Sequence, residues 1–550
     1  MNGRVVVIGG GVSGLATAAL LARGGADVTL VEQQEQVGGR AGRLEIDGFT
    51  FDTGPSWYLM RDAFEHFFDL LGRDVNDELD LIDLDPRYRV FFEGQGEPAS
   101  ALDVSADAAR NWAAFNDLSP GDGDAMRAYA DAAGERYRLA LDRFLYTTFE
   151  KPTRSLDAAT ARRLPELAGL LTRPLGDAIA DKVADPRLRQ ILAFHAVFLG
   201  STPDRLPSLF SLMSHLDLIE GVSYPRGGMY AVIEALARVA QEEGVRIRTG
   251  ASVEQIIVHR GRATGVRLQD GSVLRADAVV SGADMHHTET ALLERQFQSR
   301  PERTWSSKRP GISALLVMAG VEGELPELEH HTLLFTRDWE KNFSDIMDRG
   351  AVPQPASIYV SRTSATDDTA PPGHENLVML VPFPADPALG ADAGSRADLD
   401  QHIGRYLDQV GQWAQIPELR RRTSVKKVLT PHYFASELNA WQGGALGLEH
   451  SLRQSAMFRP ANVSGAVPNL LYAGSSTVPG IGVPICLISA ELVAKRLLGA
   501  TDASPLQAPL PQGYLARSRR GGTLGQIARA LGGNAAGSHS SPESRPEAGR

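Results

Sequence analysis

The chain has 550 residues, of which 43% are hydrophobic and 22% charged, which is the composition of a globular protein. A chain of this length is too long for one compact core. At least two lobes are therefore expected. The net charge of −11 argues against nucleic acid as a partner, because a nucleic-acid-binding surface needs a positive protein. The single cysteine, Cys486, excludes an internal disulfide and a cysteine-based metal cage, and it fits a reducing compartment.

Neither a signal peptide nor a membrane span is expected. The first residues lead directly into a buried strand, and no apolar run approaches the ~20 residues that a spanning helix needs. The sequence therefore predicts a cytoplasmic protein that is soluble or peripherally associated with a membrane surface.

A nucleotide-binding signature begins the chain. The apolar run 4–8 predicts a buried parallel strand, and a G-x-G-x-x-G turn over residues 9–14 opens an Ala/Leu-rich helix. A second strand, 28–31, ends at Glu32, so that an acid follows the glycines by about 20 residues. Strand, turn, helix and acid together form the βαβ dinucleotide fingerprint in its required context.

Each residue type in this signature has a physical reason. Gly9 allows the tight turn, Gly11 lets a phosphate approach the backbone, and Gly14 lets helix and strand pack closely. The pyrophosphate then lies at a helix N-terminus, where free N–H groups favour an anion. Glu32 would accept hydrogen bonds from the adenosine ribose, and its charge disfavours the 2′-phosphate of NADP.

Two further turns follow. Arg40 comes after Gly39 and could reach the diphosphate with its guanidinium, although a solvated surface arginine is an equal alternative. The turn 52–56, which contains Gly54, Pro55 and Ser56, could bring backbone close to a flat ring. An ordinary hairpin end is the alternative for that turn.

More than 400 residues later, the segment 470–484 completes the pattern. Gly474 follows a short strand, and Pro484 begins a helix, 485–498, that ends before Gly499. The positive end of this helix would stabilise an anionic reduced flavin. The sequence therefore predicts FAD as the working group. Cys486, in the first turn, is interpreted as a small buried apolar residue.

The rest of the chain offers no metal cluster and no nucleophile triad, so the flavin must carry the chemistry. The histidine doublets 286–287 and 330–331 are interpreted as surface or core residues. From about 105 to 220 the apolar spacing predicts helices, with strongly apolar stretches at 191–199 and 206–219. Residues 501–550 are rich in Gly, Ser, Pro and Arg, which predicts a disordered tail.

The whole set of motifs resembles the bacterial-type carotenoid desaturases of the FAD-dependent amine oxidase/phytoene dehydrogenase superfamily. The resemblance extends to about residue 500. Its amino-terminal motifs are shared with amine oxidases and protoporphyrinogen oxidases, whereas the later ones are particular to carotenoid enzymes. One departure is Ser475-Ser476-Thr477-Val478 where many members have an Ala-Gly-Thr-His run. The segments that carry the resemblance are 7–15, 38–40, 52–55, 224–228, 447–449, 454–460 and 474–491.

The resemblance implies an α/β fold of the p-hydroxybenzoate hydroxylase/amine oxidase type. Its Rossmann-like FAD-binding domain is discontinuous and would comprise residues 1–90, 222–285 and 435–500. Residues 91–221 and 286–434 would form an α+β substrate lobe that faces the membrane. The implied cofactor contacts are Gly9, Gly11, Ser13, Gly14, Glu32, Gly39, Arg40, Val253, Gly474, Ser475 and Ile485, to which the turn residues Gly54, Pro55 and Ser56 are added.

The resemblance also implies an activity. A hydrophobic polyene, phytoene in the closest look-alikes, would be converted towards lycopene by repeated hydride transfer to the flavin, with a quinone or oxygen as the electron acceptor. The stretches 191–199 and 206–219 are candidates for a tunnel wall or a membrane dip, with plain helix core as the alternative. No catalytic side chain is assigned.

Alternative functions remain open at this point. The chain could be another carotenoid-modifying desaturase or oxidase of the same family. An amine or protoporphyrinogen oxidase would need a polar or aromatic-lined pocket. A carrier of prenyl lipids that has lost its flavin is disfavoured by the intact glycine turn, Glu32 and Gly39-Arg40.

Overall fold

The computed structural model describes residues 3–94, 99–150 and 164–517. Two large sheets and a helical region account for most of this part of the chain. The main helices are Val12–Arg23, Arg61–Leu70, Ala108–Leu118, Asp122–Ala140, Leu164–Thr172, Pro186–Ala193, Tyr230–Glu242, Trp339–Met347, Ala393–Trp413 and Val483–Leu498. Shorter helices are Val75–Glu78, Leu175–Ala180, His195–Phe198, Met213–His215, Met285–Thr290, Glu302–Trp305, Leu419–Arg422, Pro431–Glu437 and Tyr514–Arg517.

A five-stranded parallel sheet forms the nucleotide-binding half. Its strand order is Leu470–Tyr472, Ala278–Ser281, Arg4–Ile8, Asp27–Val31 and Arg246–Arg248. All four pairings are parallel. The central strands are largely apolar because both faces of such a sheet are covered, whereas the edge strand Arg246–Arg248 has two exposed arginines. The predicted Rossmann-like fold is therefore confirmed, and its strands come from the three segments that the sequence grouped together.

The second large sheet has seven strands and is mostly antiparallel. Its order is Thr423–Leu429, Ser313–Glu322, His374–Phe383, Ile358–Ser361, His331–Phe335, Tyr88–Phe92 and Ser100–Val104. The strand Tyr88–Phe92 crosses the expected domain boundary at residue 90. Three smaller sheets comprise Val253–His259 with Arg262–Leu268 and Val273–Arg275, Arg43–Ile46 with Phe49–Asp52, and Leu81–Asp83 with Ser223–Pro225. The described part of 105–220 is helical, as the apolar spacing predicts.

The helix Val12–Arg23, here called the nucleotide helix, is buried along nearly its whole length. It packs between the helix Tyr230–Glu242 and the closing helix, Val483–Leu498. The closing helix begins after Gly482 and ends at Gly499, whose φ of +69° favours glycine. This packing holds the N-termini of the nucleotide helix and the closing helix at one cavity.

The expected disordered tail is wrong for residues 501–517. Leu510, Tyr514 and Leu515 are buried in the core that contains the nucleotide helix. The Tyr514 hydroxyl donates a hydrogen bond to the Leu20 carbonyl at 3.1 Å. Composition concealed these apolar anchors because Gly, Pro and polar residues separate them. Residues 518–550 of the expected tail lie outside the described residues.

The same segment is held by charged side chains of the closing helix. Lys495 is fully buried and donates to the carbonyls of Asp502, at 3.0 Å, and Ser504, at 2.5 Å. Glu491 accepts from the backbone N–H of Leu506 at 2.5 Å. We call residues 501–517 the C-terminal clasp. No helix in the described part of the chain is long and apolar enough to cross a membrane.

Candidate active site: a flavin cleft that opens into an apolar cavity

One cavity of about 480 Å³ runs from the glycine turn into the helical region. Residues from segments that are far apart in the sequence, from Ile8 to Cys486, line this cavity. All of the predicted cofactor contacts except Gly14 line it, namely Gly9, Gly11, Ser13, Glu32, Gly39, Arg40, Gly54, Pro55, Ser56, Val253, Gly474, Ser475 and Ile485.

The glycines of the first turn have different roles. Gly11 is the N-cap of the nucleotide helix, and a Cβ there would find only the Gly38 carbonyl, 3.8 Å away. A Cβ at Gly14 would lie 1.9 Å from the Gly9 carbonyl oxygen. Gly14 therefore allows the helix to pack against the turn, as its predicted packing role requires, while Gly11 keeps space open towards the cavity.

Glu32 lies at the carboxyl end of its strand and is 6% exposed. Its carboxylate accepts hydrogen bonds from the backbone N–H groups of Gly10, at 2.6 Å, and Gln34, at 2.8 Å. These bonds orient the carboxylate at the edge of the cavity. This position matches the one that the nucleotide signature assigns to a ribose-binding acid.

Arg40 belongs to a turn that is tied to the glycine turn, since Gly38 N–H donates to the Gly10 carbonyl at 2.8 Å. The Arg40 guanidinium is only loosely held, with Gly444 O at 3.5 Å and an Asp284 oxygen at 3.9 Å. Its Nε is buried without a hydrogen-bond partner. A buried, unpartnered donor that lines a cavity indicates a polar ligand there.

The turn 52–56 joins two parts of the site. A Cβ at Gly54 would lie 1.9 Å from the Arg40 carbonyl, so the close approach at Gly54 is to protein backbone. Asp52 accepts from the N–H groups of Met229, at 2.8 Å, and Tyr230, at 3.1 Å. Asp52 thereby caps the helix Tyr230–Glu242, while Pro55 and Ser56 line the cavity.

The closing segment is fixed by Arg459, which sequence reasoning included in a motif without a role. Its guanidinium is buried and donates to four carbonyls, those of Leu448, Gln454, Ser475 and Thr477. Burial lowers the pKa of Arg459 to about 9, which still leaves it charged at neutral pH. Arg459 thus holds the residues after Gly474 against the loop 448–458.

The N-terminus of the closing helix is open to the cavity. Gly482 is its N-cap and provides no side-chain cap, and Val483, Pro484 and Ile485 line the cavity. Gly474 is next to the nucleotide helix, since a Cβ there would lie 3.0 Å from Ser13 Oγ. Burial raises the pKa of the Cys486 thiol to about 11. A thiol with a raised pKa is a weak nucleophile, but Cys486 is half-buried and lines the cavity, so the expected full burial is wrong.

The inner half of the cavity is apolar. Both apolar stretches contribute to it, the first through Val197, Phe198 and Leu199. The second contributes Leu209, Phe210, Leu212 and Met213, and the π-helical turn Leu141–Leu145 adds Phe144 and Leu145. Ile191, Leu192 and Ala196 point into the core instead. The stretches are therefore both cavity wall and helix core.

Asp284, His287 and His450 are among the cavity-lining residues that the sequence did not identify as site residues. His450 accepts a hydrogen bond on Nε2 from the Ile481 N–H at 3.2 Å, and its Nδ1 is buried without a partner. Burial and the Arg459 charge hold the pKa of His450 well below its usual range. No local motif marks these residues, because only the fold brings them to the cavity.

The family model of the flavin-containing amine oxidoreductases matches residues 12–498. A carotenoid 3,4-desaturase of Haloarcula japonica is 40% identical over 503 residues, which cover 90% of this chain and 98% of the relative. The chain belongs to this flavoprotein family, among the carotenoid desaturases. A zeta-carotene-forming phytoene desaturase of Myxococcus xanthus is 34% identical over 507 residues, covering 90% of this chain and 94% of that protein.

Solved structures share the fold at low identity. Putrescine oxidase bound to putrescine superimposes with a TM-score of 0.57 at 14% identity, covering 91% of this chain and 99% of the other. Cyclohexylamine oxidase from Brevibacterium oxydans gives 0.55 at 15%, covering 90% and 98%. These likenesses confirm the amine oxidase type of fold.

The cofactor of this family is FAD, and the residues of the cavity fit it. Two helix N-termini without side-chain caps, at Gly11 and Gly482, reach the same cavity. The same cavity is lined by Glu32 and by Arg40, whose Nε is buried without a partner. These groups offer donors to an anionic diphosphate and an acceptor to a ribose.

Proposed function

We propose that the chain desaturates a long carotenoid polyene, with phytoene as substrate and products that extend towards lycopene. The observation that carries this proposal is the continuity of the cavity, which leads from the glycine turn to a wall of Phe198, Phe210 and Leu212. A substrate without polar groups would find no obligatory hydrogen-bond partner along that wall, and burying it there is favourable. FAD, when bound, supplies a two-electron acceptor for hydride.

The side chains of the chain have positioning roles in this proposal. Gly11, Arg40 and Glu32 would hold the dinucleotide, and the N-terminus of the closing helix would favour negative charge at the ring end. The apolar wall would exclude water and keep one C–C bond of the polyene in place. The electron acceptor that restores the enzyme is a quinone or oxygen in this proposal.

A second substrate is favoured by a specific observation. The relative that is 40% identical is a carotenoid 3,4-desaturase, which suggests action on a carotenoid that is already conjugated. The buried, unpartnered Nδ1 of His450 would offer a hydrogen-bond donor to a polar substituent on such a polyene. The amine oxidase and protoporphyrinogen oxidase alternatives are disfavoured because the relatives that are 40% and 34% identical are carotenoid and phytoene desaturases.

Pigment analysis tests the proposal. The chain would be expressed in two hosts, one that accumulates phytoene and one that accumulates lycopene, and extracts compared by chromatography and absorption spectra. Conversion of phytoene to more conjugated products supports the primary proposal. Conversion only in the host that accumulates lycopene supports the second proposal, desaturation of a carotenoid that is already conjugated. No change in either host, with FAD-loaded protein present, would contradict carotenoid desaturation. A Gly11→Val variant serves as the control without flavin.

A further inference from the structure

A pair of exposed apolar side chains projects from the loop beside the cavity. Met457 is 57% exposed and Phe458 is 58% exposed. The other large apolar side chains exposed in the described residues, Val273 and Val425, belong to different strands. Exposed apolar neighbours on a well-held loop mark an interaction site more often than an isolated exposed residue does.

The loop that carries this pair is rigidly supported. The Arg459 guanidinium directly after the pair donates to four carbonyls. Gln454, three residues before Met457, accepts from the Arg309 N–H at 2.9 Å and donates to the Arg309 carbonyl at 3.1 Å. The exposure of Met457 and Phe458 is therefore maintained by buried hydrogen bonds on both sides of the pair.

The inner side of the same loop belongs to the cavity. Ser455 and Ala456 line it, and the next two residues are Met457 and Phe458. The loop therefore has one side in the wall of the cavity and a tip in solvent. A lipid-soluble substrate that leaves a bilayer would meet this loop at the cavity wall.

The charge around the tip is positive although the whole chain carries −11. Arg453 and Arg309 are exposed, and Lys308, which precedes Arg309, is half-buried. Burial, together with the positive charges of Arg300 and Arg459, lowers the pKa of Lys308. The opposing acids are Asp348, Asp204 and Glu449. Asp348 lies 3.9 Å from the Arg309 guanidinium and is itself bound to Arg205, which also pairs with Asp204. The buried Glu449 interacts with the charges of Arg205 and Arg309. Glu302 is exposed on the same segment but bonds to His286.

We infer that Met457 and Phe458, with Lys308, Arg309 and Arg453, form a docking surface for the face of an anionic lipid bilayer. Here this group is called the docking surface. The inference rests on the proposed function, because a polyene substrate is what makes lipid contact useful at this cavity. Local positive charge can orient a protein on such a surface although the whole chain carries a net charge of −11.

A protein partner fits the docking surface less well. Two large side chains can bury roughly 200 Å² each, whereas stable protein interfaces bury about 1,200 Å² or more in total. Shallow insertion into a bilayer needs no such area, since each apolar side chain that enters the acyl boundary contributes by itself. Flanking Arg and Lys groups then contact lipid phosphates.

Vesicle flotation of the full-length, FAD-loaded chain tests this inference. Vesicles of phosphatidylcholine, with and without phosphatidylglycerol, would be mixed with protein and the bound fraction measured. The unmodified chain should bind the anionic vesicles more strongly. The variant Met457→Ser/Phe458→Ser should lower the partition coefficient at least roughly tenfold, from the loss of two inserted side chains. The matched control Val273→Ser/Val425→Ser should bind like the unmodified chain.

The charge component has its own pair of variants. Arg453→Glu should lower binding to anionic vesicles by roughly tenfold or more and leave binding to phosphatidylcholine alone unchanged. Arg421→Glu, at a side chain that is 78% exposed, is the matched control and should have less effect. Flavin absorbance and melting temperature, measured for every variant, would show that each remains folded.

Two results would overturn the inference. One is equal vesicle binding by the Met457/Phe458 double variant and the unmodified chain. The other is complete loss of binding after truncation behind Arg517, which would place the lipid contact in residues 518–550. Vesicle binding does not require catalysis, so a chain that floats but leaves carotenoids unchanged would contradict only the proposed function. We expect the Met457/Phe458 double variant to lose flotation with vesicles but to keep its activity on substrate dissolved in detergent, which would separate membrane binding from catalysis.

Discussion

At the scale of single residues, Gly11 and Gly14 have different roles: Gly11 leaves space for the cofactor, and Gly14 is needed for packing within the fold. The structure leaves room for a Cβ at Gly11, whereas a Cβ at Gly14 would overlap the Gly9 carbonyl. We predict that Gly11→Val keeps the melting temperature of the flavin-free protein within a few degrees but abolishes flavin retention. Gly14→Ala should instead yield protein that is destabilised or insoluble.

The measurement for this pair is the ratio of flavin to protein absorbance, with thermal melting of protein from which flavin has been removed. Normal flavin content in Gly11→Val would contradict the assignment of the diphosphate path. An unchanged melting temperature in Gly14→Ala would contradict the packing role of Gly14.

His330 gives a pH dependence with a defined sign. Burial, with a further contribution from the Arg362 charge, lowers its pKa from 6.5 to about 3, although Asp367 acts in the opposite direction. Below pH 6.5 the unfolded chain therefore binds a proton that the folded chain does not. Stability is fully present above about pH 6.5 and falls as the pH drops towards 3, by at most about 1.4 kcal/mol per pH unit from this group.

The variant His330→Asn removes this titration and should reduce the drop in melting temperature between pH 7.5 and pH 5. His331 and His450, whose pKa values are also lowered by burial, would maintain the remaining acid sensitivity. His374→Asn, at an exposed position, is the control and should behave like the unmodified chain. An unchanged pH dependence in His330→Asn would show that another group dominates.

At the scale of elements, the C-terminal clasp is a folded part of the nucleotide half. We predict that truncation after Arg517 leaves flavin content and melting temperature unchanged. Truncation after Ala500 should lower both, because it uncovers Leu20 and Gly24. It also removes the Asp502 carboxylate and two backbone acceptors from buried Lys495, which keeps the Tyr146 carbonyl but loses its charged partner. An uncompensated buried charge is strongly destabilising.

A milder variant tests the same contact in the full-length chain. Leu515 is 1% exposed, and a Cβ added at Gly24 would lie 2.5 Å from its Cδ1. Leu515→Ala should cost about 2–5 kcal/mol, measured as a lower melting temperature. If this variant and the truncation after Ala500 both melt like the unmodified chain, the clasp does not stabilise the fold.

The elements also differ in how well they can be predicted from the sequence. The glycine turn and the closing helix were predicted correctly because glycine, proline and apolar spacing act over a few residues. His450 and Asp284 were missed because the cavity joins segments that are distant in sequence. The clasp was missed for a different reason, since three buried side chains are enough to hold a segment whose average composition is that of a disordered one.

At the scale of the whole molecule, the cavity has a nucleotide part and an apolar part. We expect a substitution in the apolar part to lower polyene turnover without changing flavin binding. Leu209 lines the apolar half and is only partly buried, so a larger side chain can extend into the cavity. We predict that Leu209→Trp keeps flavin content unchanged and lowers turnover of a long polyene at least tenfold by blocking its path. Leu209→Met, which conserves volume, should be close to normal.

The assay is pigment formation per molecule of bound flavin in detergent-solubilised substrate. Full activity of Leu209→Trp would show that the polyene does not pass along this wall. A parallel loss of flavin would instead indicate that the substitution disturbs the nucleotide half, and it would contradict the division of the cavity into two functional parts.

The order of strands in the parallel sheet governs how the protein can be synthesised. Arg4–Ile8 is synthesised before the other four strands of this sheet and lies at its centre, next to Ala278–Ser281. The edge strand Leu470–Tyr472 is the last of the five to be synthesised. The nucleotide helix packs against the closing helix and the clasp, which are synthesised even later than that edge strand. The nascent chain must therefore keep an apolar helix and an open strand edge from aggregating through most of translation, a task for which cells employ chaperones.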